Sequence, residues 1–411
     1  MNVTKPLVRQ YISKFSGYIL GSVLSGVASL LSMTYTARVM DESDVGYIGL
    51  TNALLFIAPI LLSFSSSGLL AINYTQKSKA DYLSFRSTYM GFGMINLLIF
   101  SSVILLISIY FEFRIRELFL FPFIAYSYFL NDAVRAENVQ KMNVRKVVFY
   151  SVFFSIASLV FLLLIEEILS LGWRSRIYSI ALASIMSIIL ILRRESLSFN
   201  IRLTFIEYRQ LLIFGGPLFL AGMAGWTLNQ ADKIIVERYL SVENLAMYSV
   251  AFSYASVLAL VNTALSNVMV AKVYDYLSGK NRQYSFRSLV TIHVLIGTIA
   301  SLLFLMFAEL LIPVLFGESY SRSVTIARFI VTSFWLNGLY RAYGGVIVYY
   351  KETGIQLLLT IIAAVVNVLL SVYLITILEE LGPAVATLLG NLLLFIMVVL
   401  FSSRLLKSND V

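Results

Sequence analysis

The chain has 411 residues, of which 59% are hydrophobic and only 13% are charged. Soluble domains average about 45–50% apolar and about 25% charged residues, so this composition excludes an ordinary soluble protein. The sequence has no cysteine and one histidine, which excludes disulfide scaffolds, Cys nucleophiles and His-cluster metal sites. The net charge of +9 is typical, in such a chain, of basic cytoplasmic loops rather than of nucleic-acid binding.

Hydrophobic runs of about 20 residues, the length of a membrane-spanning helix, recur along the whole chain. The first run follows a polar, basic start and is too long for a signal-peptide core, which predicts an uncleaved first span. We predict six spans in the first half, at residues 15–38, 47–72, 88–110, 118–134, 147–165 and 177–192. Six more follow at residues 211–236, 246–271, 288–308, 325–348, 355–376 and 383–403.

The charge of the loops alternates along the chain. One set of loops is rich in Lys and Arg, as in residues 135–146 and 193–210, whereas the alternate set is often acidic, as in residues 41–44 and 379–380. Because cytoplasmic loops carry an excess of Lys and Arg, this pattern predicts an even number of spans with both termini in the cytoplasm. Twelve is the predicted number, with ten and fourteen as alternatives.

The sequence after the longest basic loop repeats features of the first span. Residues 15–49 and 214–249 both begin with a Phe and a glycine-containing pair, run through small residues, and reach an Arg, an acidic turn and a Tyr. A repeat period of about 200 residues predicts two parallel halves of six helices, which is a known transporter plan. We therefore predict an N-terminal lobe over residues 1–195 and a C-terminal lobe over residues 196–411.

Four stretches carry a resemblance to a known family. They are TARVMDESDVGYIGL (36–50), QADKIIVERYLSVENLAMYSVAFSYA (230–255) after Pro217, LFGESY (315–320), and GPAVATLLGN (382–391) with the preceding Asn367. In their order and spacing, the chain resembles the Wzx-type polysaccharide flippases of the multidrug/oligosaccharidyl-lipid/polysaccharide (MOP) exporter superfamily. One departure is Met247, where the family usually has a Gly before the Tyr of the second acidic turn.

The resemblance implies an all-α integral membrane protein with two pseudo-symmetric six-helix lobes (MATE/MOP-like) around a central cavity. It implies a flippase rather than an enzyme. Its substrate would be an undecaprenyl-pyrophosphate-linked oligosaccharide, moved by alternating access from the cytoplasmic to the periplasmic leaflet of a bacterial inner membrane, for O-antigen or another surface polysaccharide. The implied partners are membrane lipid, a polysaccharide polymerase and a chain-length regulator, without nucleic acid. No cofactor is expected, since the sequence has no nucleotide-binding loop.

Charged residues inside spans are the candidate site. A charge at the centre of a membrane helix costs at least ~2.5–3.5 kcal/mol on insertion scales, and cations suit a pyrophosphate. Four cations away from the basic loops, with one nearby amide, are the predicted substrate-binding residues: Arg341, Arg38, Lys233, Arg328 and Asn337. Asp232 is the predicted ion-coupling residue. The structural alternatives are snorkelling for Arg38 and Arg328, and an internal Asp232–Lys233 pair.

Two other functions fit the same hydropathy. A MATE-type drug/cation antiporter shares the architecture, but a cavity for cations favours carboxylates, whereas the charges within these spans are mainly cationic. A membrane-embedded polysaccharide polymerase or ligase usually has a long periplasmic loop with catalytic residues. No predicted outward loop here exceeds roughly a dozen residues, the upper end of ordinary connections, which favours a transporter.

Overall fold

A computed structural model describes residues 4–64, 66–110, 116–141, 143–202, 205–277, 285–350 and 352–408. Over these residues the secondary structure is entirely helical. The α-helices are α1 (Thr4–Val39), α2 (Glu42–Ser63), α3 (Gly68–Gln76), α4 (Lys79–Tyr110), α5 (Phe121–Gln140), α6 (Val144–Leu169), α7 (Trp173–Arg194), α8 (Phe205–Tyr239), α9 (Val242–Leu277), α10 (Phe286–Phe316), α11 (Ser323–Tyr349), α12 (Thr353–Leu378) and α13 (Leu381–Ser408). Short 3-10 helices, Arg116–Leu120 and Glu318–Arg322, precede α5 and α11.

The lengths of these helices agree with the predicted spans. Among the described residues, nine helices are long and apolar enough to cross a membrane, namely α2, α4, α6, α7, α8, α9, α10, α12 and α13. Three further helices of at least 20 residues, α1, α5 and α11, coincide with the predicted spans at 15–38, 118–134 and 325–348. The predicted all-α membrane fold is therefore confirmed.

The predicted span over residues 47–72 is wrong as a single helix, because α2 and α3 are separated by a turn. Phe64 in this turn has a φ of 49°, in the left-handed region that a bulky residue rarely adopts. The hydroxyl of Ser66 donates to the carbonyl of Ser63, and such local bonds compete with helical ones. The Phe64 ring packs 5.1 Å from the ring of Phe219, which holds the turn in place.

The contacts within the chain define two compact units. Unit 1 comprises Met1–Ser32 and Leu54–Gly222, and unit 2 comprises Met33–Ala53 and Met223–Val411. The divisions fall inside α1, α2 and α8, so each of these helices contributes to both units. The predicted lobes, 1–195 and 196–411, rest on the sequence repeat and stay a prediction.

Unit 1 is organised around a buried aromatic cluster where α4 meets α5. The ring of Tyr89 stacks on that of Phe129 at 5.2 Å, and Phe92 lies beside them in the same core. A Cβ atom at Gly93 would lie 2.2 Å from the Phe129 ring, so only glycine permits this approach of the two helices. Close packing of α4 on α5 thereby fixes the position of the polar residues later in α5.

Unit 2 is organised around α11. This helix packs against α9, α10, α12 and α13, and most of its residues are buried. Because it faces protein rather than lipid, α11 tolerates polar residues that would be costly elsewhere in a bilayer. Its position explains why α11 can carry Asn337, whereas Arg341 lies at an exposed position of the same helix.

Candidate functional site

Asp232 and Lys233 are neighbours on α8 and are almost completely buried in unit 2, with exposures of 1% and 3%. Adjacent residues on a helix do not face each other, and no ion pair joins these two side chains among the described residues. The Nζ of Lys233 instead donates to Oε1 of Gln230 at 2.7 Å and lies 3.6 Å from the centre of the Phe252 ring. The Asp232 carboxylate accepts a hydrogen bond from the hydroxyl of Tyr248.

A network of amides and hydroxyls, which we call the polar network, crosses from α11 to α12 and α13. Asn391 donates to the Ser333 hydroxyl at 2.9 Å and accepts from the Asn337 amide at 3.1 Å. Asn367 donates to the Thr387 hydroxyl at 3.1 Å. Amides of this kind hold membrane helices together, since hydrocarbon offers them no other partner.

The polar network links the predicted residues of unit 2. At one end, the Nε of Arg341 donates to Oδ1 of Asn337 at 3.2 Å. The Arg341 side chain is otherwise exposed. At the other end, the Thr387 carbonyl accepts from Asn391 at 3.0 Å, and the Thr387 side chain lies near Asp232 and Tyr248. The structure therefore links Arg341 to Thr387 through a chain of hydrogen bonds and places Asp232 near its end.

Two acceptor atoms near this chain of contacts lack a partner. The Oδ1 of Asn367 and the Oγ of Ser371, one turn apart on α12, are buried without a hydrogen bond to any described residue. Buried polar atoms are usually paired, so each exception calls for an explanation such as a bound water or ion. The described residues contain no group of three or more His, Asp or Glu side chains that could hold a metal.

Arg38 and Arg328 lie outside the polar network. Arg38, near the end of α1, donates through Nε to the carbonyl of Leu315 at 2.9 Å and through Nη2 to the carbonyl of Val314. These carbonyls belong to the last turn of α10, whose acceptors have no partner within the helix. Arg328 forms an exposed ion pair of 3.1 Å with Glu309. Both cations thus have structural contacts, and a role in substrate binding stays a prediction.

A second polar feature, which the sequence prediction missed, is a cavity of about 490 Å³ inside unit 1. We call it the unit 1 cavity. It is bounded by α1, α2, α5 and α6 and lined by Ser25, Pro59, Ile60, Ser63, Ser67, Tyr128, Asn131, Asp132, Arg135, Val147, Tyr150, Ser151, Phe154 and Ser155. The lining combines aromatic rings, hydroxyls, one amide, one carboxylate and one guanidinium.

The two charges of the unit 1 cavity have no ion-pair or hydrogen-bond partners among the residues that the structure describes. Neither Asp132 nor Arg135 makes an ion pair or a hydrogen bond through its side chain with any described residue. In contrast, the neighbouring Asn131 donates to the Ser127 carbonyl at 2.8 Å and to the Ser187 hydroxyl at 2.9 Å. Unpaired charges at membrane depth are costly, so these two are candidates for ligand contacts.

The sequence did carry a signal for the unit 1 cavity. Asp132 lies inside the predicted span 118–134 and is an intramembrane carboxylate by that criterion alone. Arg135 lies one residue beyond the predicted end of the span, where it counts as a loop cation. The structure extends α5 to Gln140, which moves Arg135 from the loop into the helix.

The helical fold is one already seen in membrane proteins. Three solved structures share it over nearly the whole chain. A lipid II flippase MurJ in an inward closed conformation has a TM-score of 0.73 and 15% identity, over 96% of this chain and 87% of that chain. A MATE protein in complex with MaL6 has a TM-score of 0.68 and 14% identity, over 97% of this chain and 96% of that chain. An inward-facing multidrug resistance MATE family transporter of the MOP superfamily has a TM-score of 0.66 and 15% identity, over 96% of this chain and 94% of that chain.

The family follows from the sequence. A family model described as "Polysaccharide biosynthesis protein" matches residues 36–325, which is more than half of the chain, and the chain belongs to this family. A comparison with curated protein sequences found no match. The family and the fold together confirm the resemblance to the MOP-superfamily flippases.

Proposed function

We propose that this protein moves an undecaprenyl-pyrophosphate-linked oligosaccharide from the cytoplasmic to the periplasmic leaflet of a bacterial inner membrane. The observation that carries the proposal is a family of polysaccharide biosynthesis proteins joined to a fold shared with a lipid flippase. A polysaccharide made on a lipid carrier in the cytoplasm needs such a step, because its polar head cannot cross hydrocarbon unaided. The proposed mechanism is alternating access, with both termini in the cytoplasm.

The cations of unit 2 support an anionic head group. Arg341 is exposed and donates through one nitrogen to Asn337. Its other guanidinium N–H groups remain available for a phosphate. Lys233 supplies a second positive charge in unit 2, although it is buried against the Phe252 ring. We propose Arg341, Asn337 and Lys233 as the residues that bind the pyrophosphate, and retain Arg38 and Arg328 as weaker members of this set.

We propose Asp232 as the ion-coupling residue. Its carboxylate is buried, contacts the Tyr248 hydroxyl, and lies in the region where Asn367 keeps a free acceptor atom. Asp232→Asn keeps the shape and removes the charge, so we expect it to abolish accumulation driven by an ion gradient while downhill movement of substrate persists. Asp41→Asn, at an exposed position, is the matched control. Gradient-driven transport by the Asp232→Asn variant at the wild-type rate would remove Asp232 from coupling.

Reconstituted vesicles test the function itself. Lipid-linked oligosaccharide extracted from the strain that carries this gene is placed with purified protein in vesicles, and its glycan is probed with a membrane-impermeant glycosidase. We expect protein-dependent transfer of the glycan between leaflets. Export of ethidium without glycan transfer would instead indicate a drug antiporter. Lengthening of the glycan without transfer would indicate a polymerase or ligase.

A further inference from the structure

The unit 1 cavity combines charges of both signs, and this restricts what it can bind. Asp132 and Arg135 are three residues apart on α5, a spacing that places side chains on the same face of a helix. Both line the cavity and neither is paired with another described residue. A ligand that fills the cavity must therefore satisfy a carboxylate and a guanidinium together.

This requirement argues against the apolar tail and the pyrophosphate of a lipid-linked oligosaccharide as ligands of the cavity. The apolar tail would leave both charges without partners at membrane depth, which is costly. A pyrophosphate would meet the Arg135 guanidinium but also the Asp132 carboxylate, and charges of like sign at an interface are strongly unfavourable. A neutral group with many hydroxyls suits both, because each hydroxyl donates to a carboxylate and accepts from a guanidinium.

The remainder of the lining fits the same kind of ligand. Rings of Tyr128 and Phe154, which pack 5.3 Å apart, provide apolar surface for the C–H face of a sugar. Hydroxyls of Ser151 and Ser67 add donors and acceptors on other walls. The volume of about 490 Å³ falls within the ~300–1,000 Å³ typical of small-molecule sites.

The depth of the cavity agrees with loading from the cytoplasmic side. Asp132 lies about 12 Å along the axis of α5 from Gln140, at ~1.5 Å per residue. Val147 and Ser151 lie within the first turns of α6, which begins at Val144. In the predicted orientation the basic loop between these two helices is cytoplasmic, so the cavity lies toward the leaflet in which the lipid-linked substrate is made.

We propose that the unit 1 cavity binds a neutral sugar residue of the substrate's glycan, held by Asp132 and Arg135 against Tyr128 and Phe154. This inference rests on the proposed flippase function. It adds a site for the glycan that is separate from the cations proposed for the pyrophosphate. The cavity would contribute to the choice of glycan, whereas the cations of unit 2 recognise a group common to all such lipids.

The absence of native cysteine makes a labelling test direct. Ser151→Cys, and Ser155→Cys as a second variant, place one thiol in the cavity of the full-length protein in vesicles. The labelling rate with an impermeant methanethiosulfonate reagent is measured with no ligand, with the extracted lipid-linked oligosaccharide, and with undecaprenyl pyrophosphate. Ser196→Cys, on an exposed segment outside the cavity, is the control.

We expect the lipid-linked oligosaccharide to slow labelling roughly tenfold at ~10 Kd, since only empty cavities react, and undecaprenyl pyrophosphate to leave it unchanged. Adding Asp132→Asn or Arg135→Gln should abolish the protection. Equal protection by the sugar-free carrier would overturn the proposal in favour of a pyrophosphate site. No protection in vesicles that still transfer the glycan would overturn the sugar site and leave the flippase function standing. Vesicles that transfer no glycan would contradict the proposed function itself.

Discussion

Unit 1 and unit 2 both place polar side chains at membrane depth, but the partners of these side chains differ. In unit 2, Asn391, Ser333 and Asn337 bond to one another within the polar network. In unit 1, Asp132 and Arg135 line a cavity and have no partner among the described residues. Paired groups stabilise the helix bundle, whereas unpaired ones cost stability and are retained for a ligand. This difference separates structural from functional polar residues more sharply than their depth does.

The largest effect on stability is expected where the polar network is cut. Asn391→Ala removes bonds to Ser333 and Asn337, and each buried group left unsatisfied costs about 1–3 kcal/mol. We expect a clear fall in the unfolding temperature of the purified protein in detergent. Leu392→Ala, at the neighbouring exposed position, is the control and should change it less. Equal losses for the two variants would mean that the network does not stabilise unit 2.

Arg341 lies between the paired and the unpaired polar residues, since it is hydrogen-bonded to the polar network yet exposed. We expect Arg341→Ala to impair glycan transfer with little change in unfolding temperature, because Arg341 is exposed and makes a single hydrogen bond, to Asn337. Arg341→Lys keeps the charge and should be milder. Complementation of a deletion strain, with membrane levels checked by immunoblot, measures the effect. Full activity of the Ala variant would remove Arg341 from the site.

Arg328 and Glu309 form an exposed pair, with side-chain exposures of 44% and 76%. Exposed pairs contribute about 0–1 kcal/mol, so Arg328→Gln and Glu309→Gln should each change the unfolding temperature little. The two variants also distinguish the roles of Arg328. Loss of transport in Arg328→Gln alone would support substrate binding, and equal behaviour of both variants would assign Arg328 to the ion pair only.

The smallest effect on stability is expected in the unit 1 cavity. Asp132→Asn removes an unpaired charge, so the unfolding temperature should stay the same or rise. Ser187→Ala, which removes a hydroxyl bonded to the nearby Asn131, is the matched contrast in the same unit and should lower it. A marked destabilisation by Asp132→Asn would show that this carboxylate has a structural partner. The contrast between paired polar side chains in unit 2 and unpaired ones in unit 1 would then be wrong.

The sequence was sufficient for the helical membrane fold, and it located several polar residues of the candidate site, whose roles stay a prediction. Length and hydropathy located the long helices, and the polar residues of the seventh predicted span pointed to Asp232 and Lys233. It could not reveal that their side chains face different partners, because that depends on which residues of α9 and α13 pack against α8. The break at Phe64 was missed because the apolar stretches on its two sides were joined into one span across the serines of residues 63–67. The unit 1 cavity was missed because its lining comes from four helices.

The membership of residues 33–53 in unit 2 has a consequence for biogenesis. This segment leaves the ribosome early, yet the rest of its unit begins only at Met223. At translation rates of ~5–20 residues per second, about 10–30 s pass before the rest of unit 2 begins to be made. Arg38 waits longer still, because the carbonyls that it caps belong to the end of α10. Insertion of the early helices therefore precedes their final docking, and agents that hold nascent membrane helices should act between these two events.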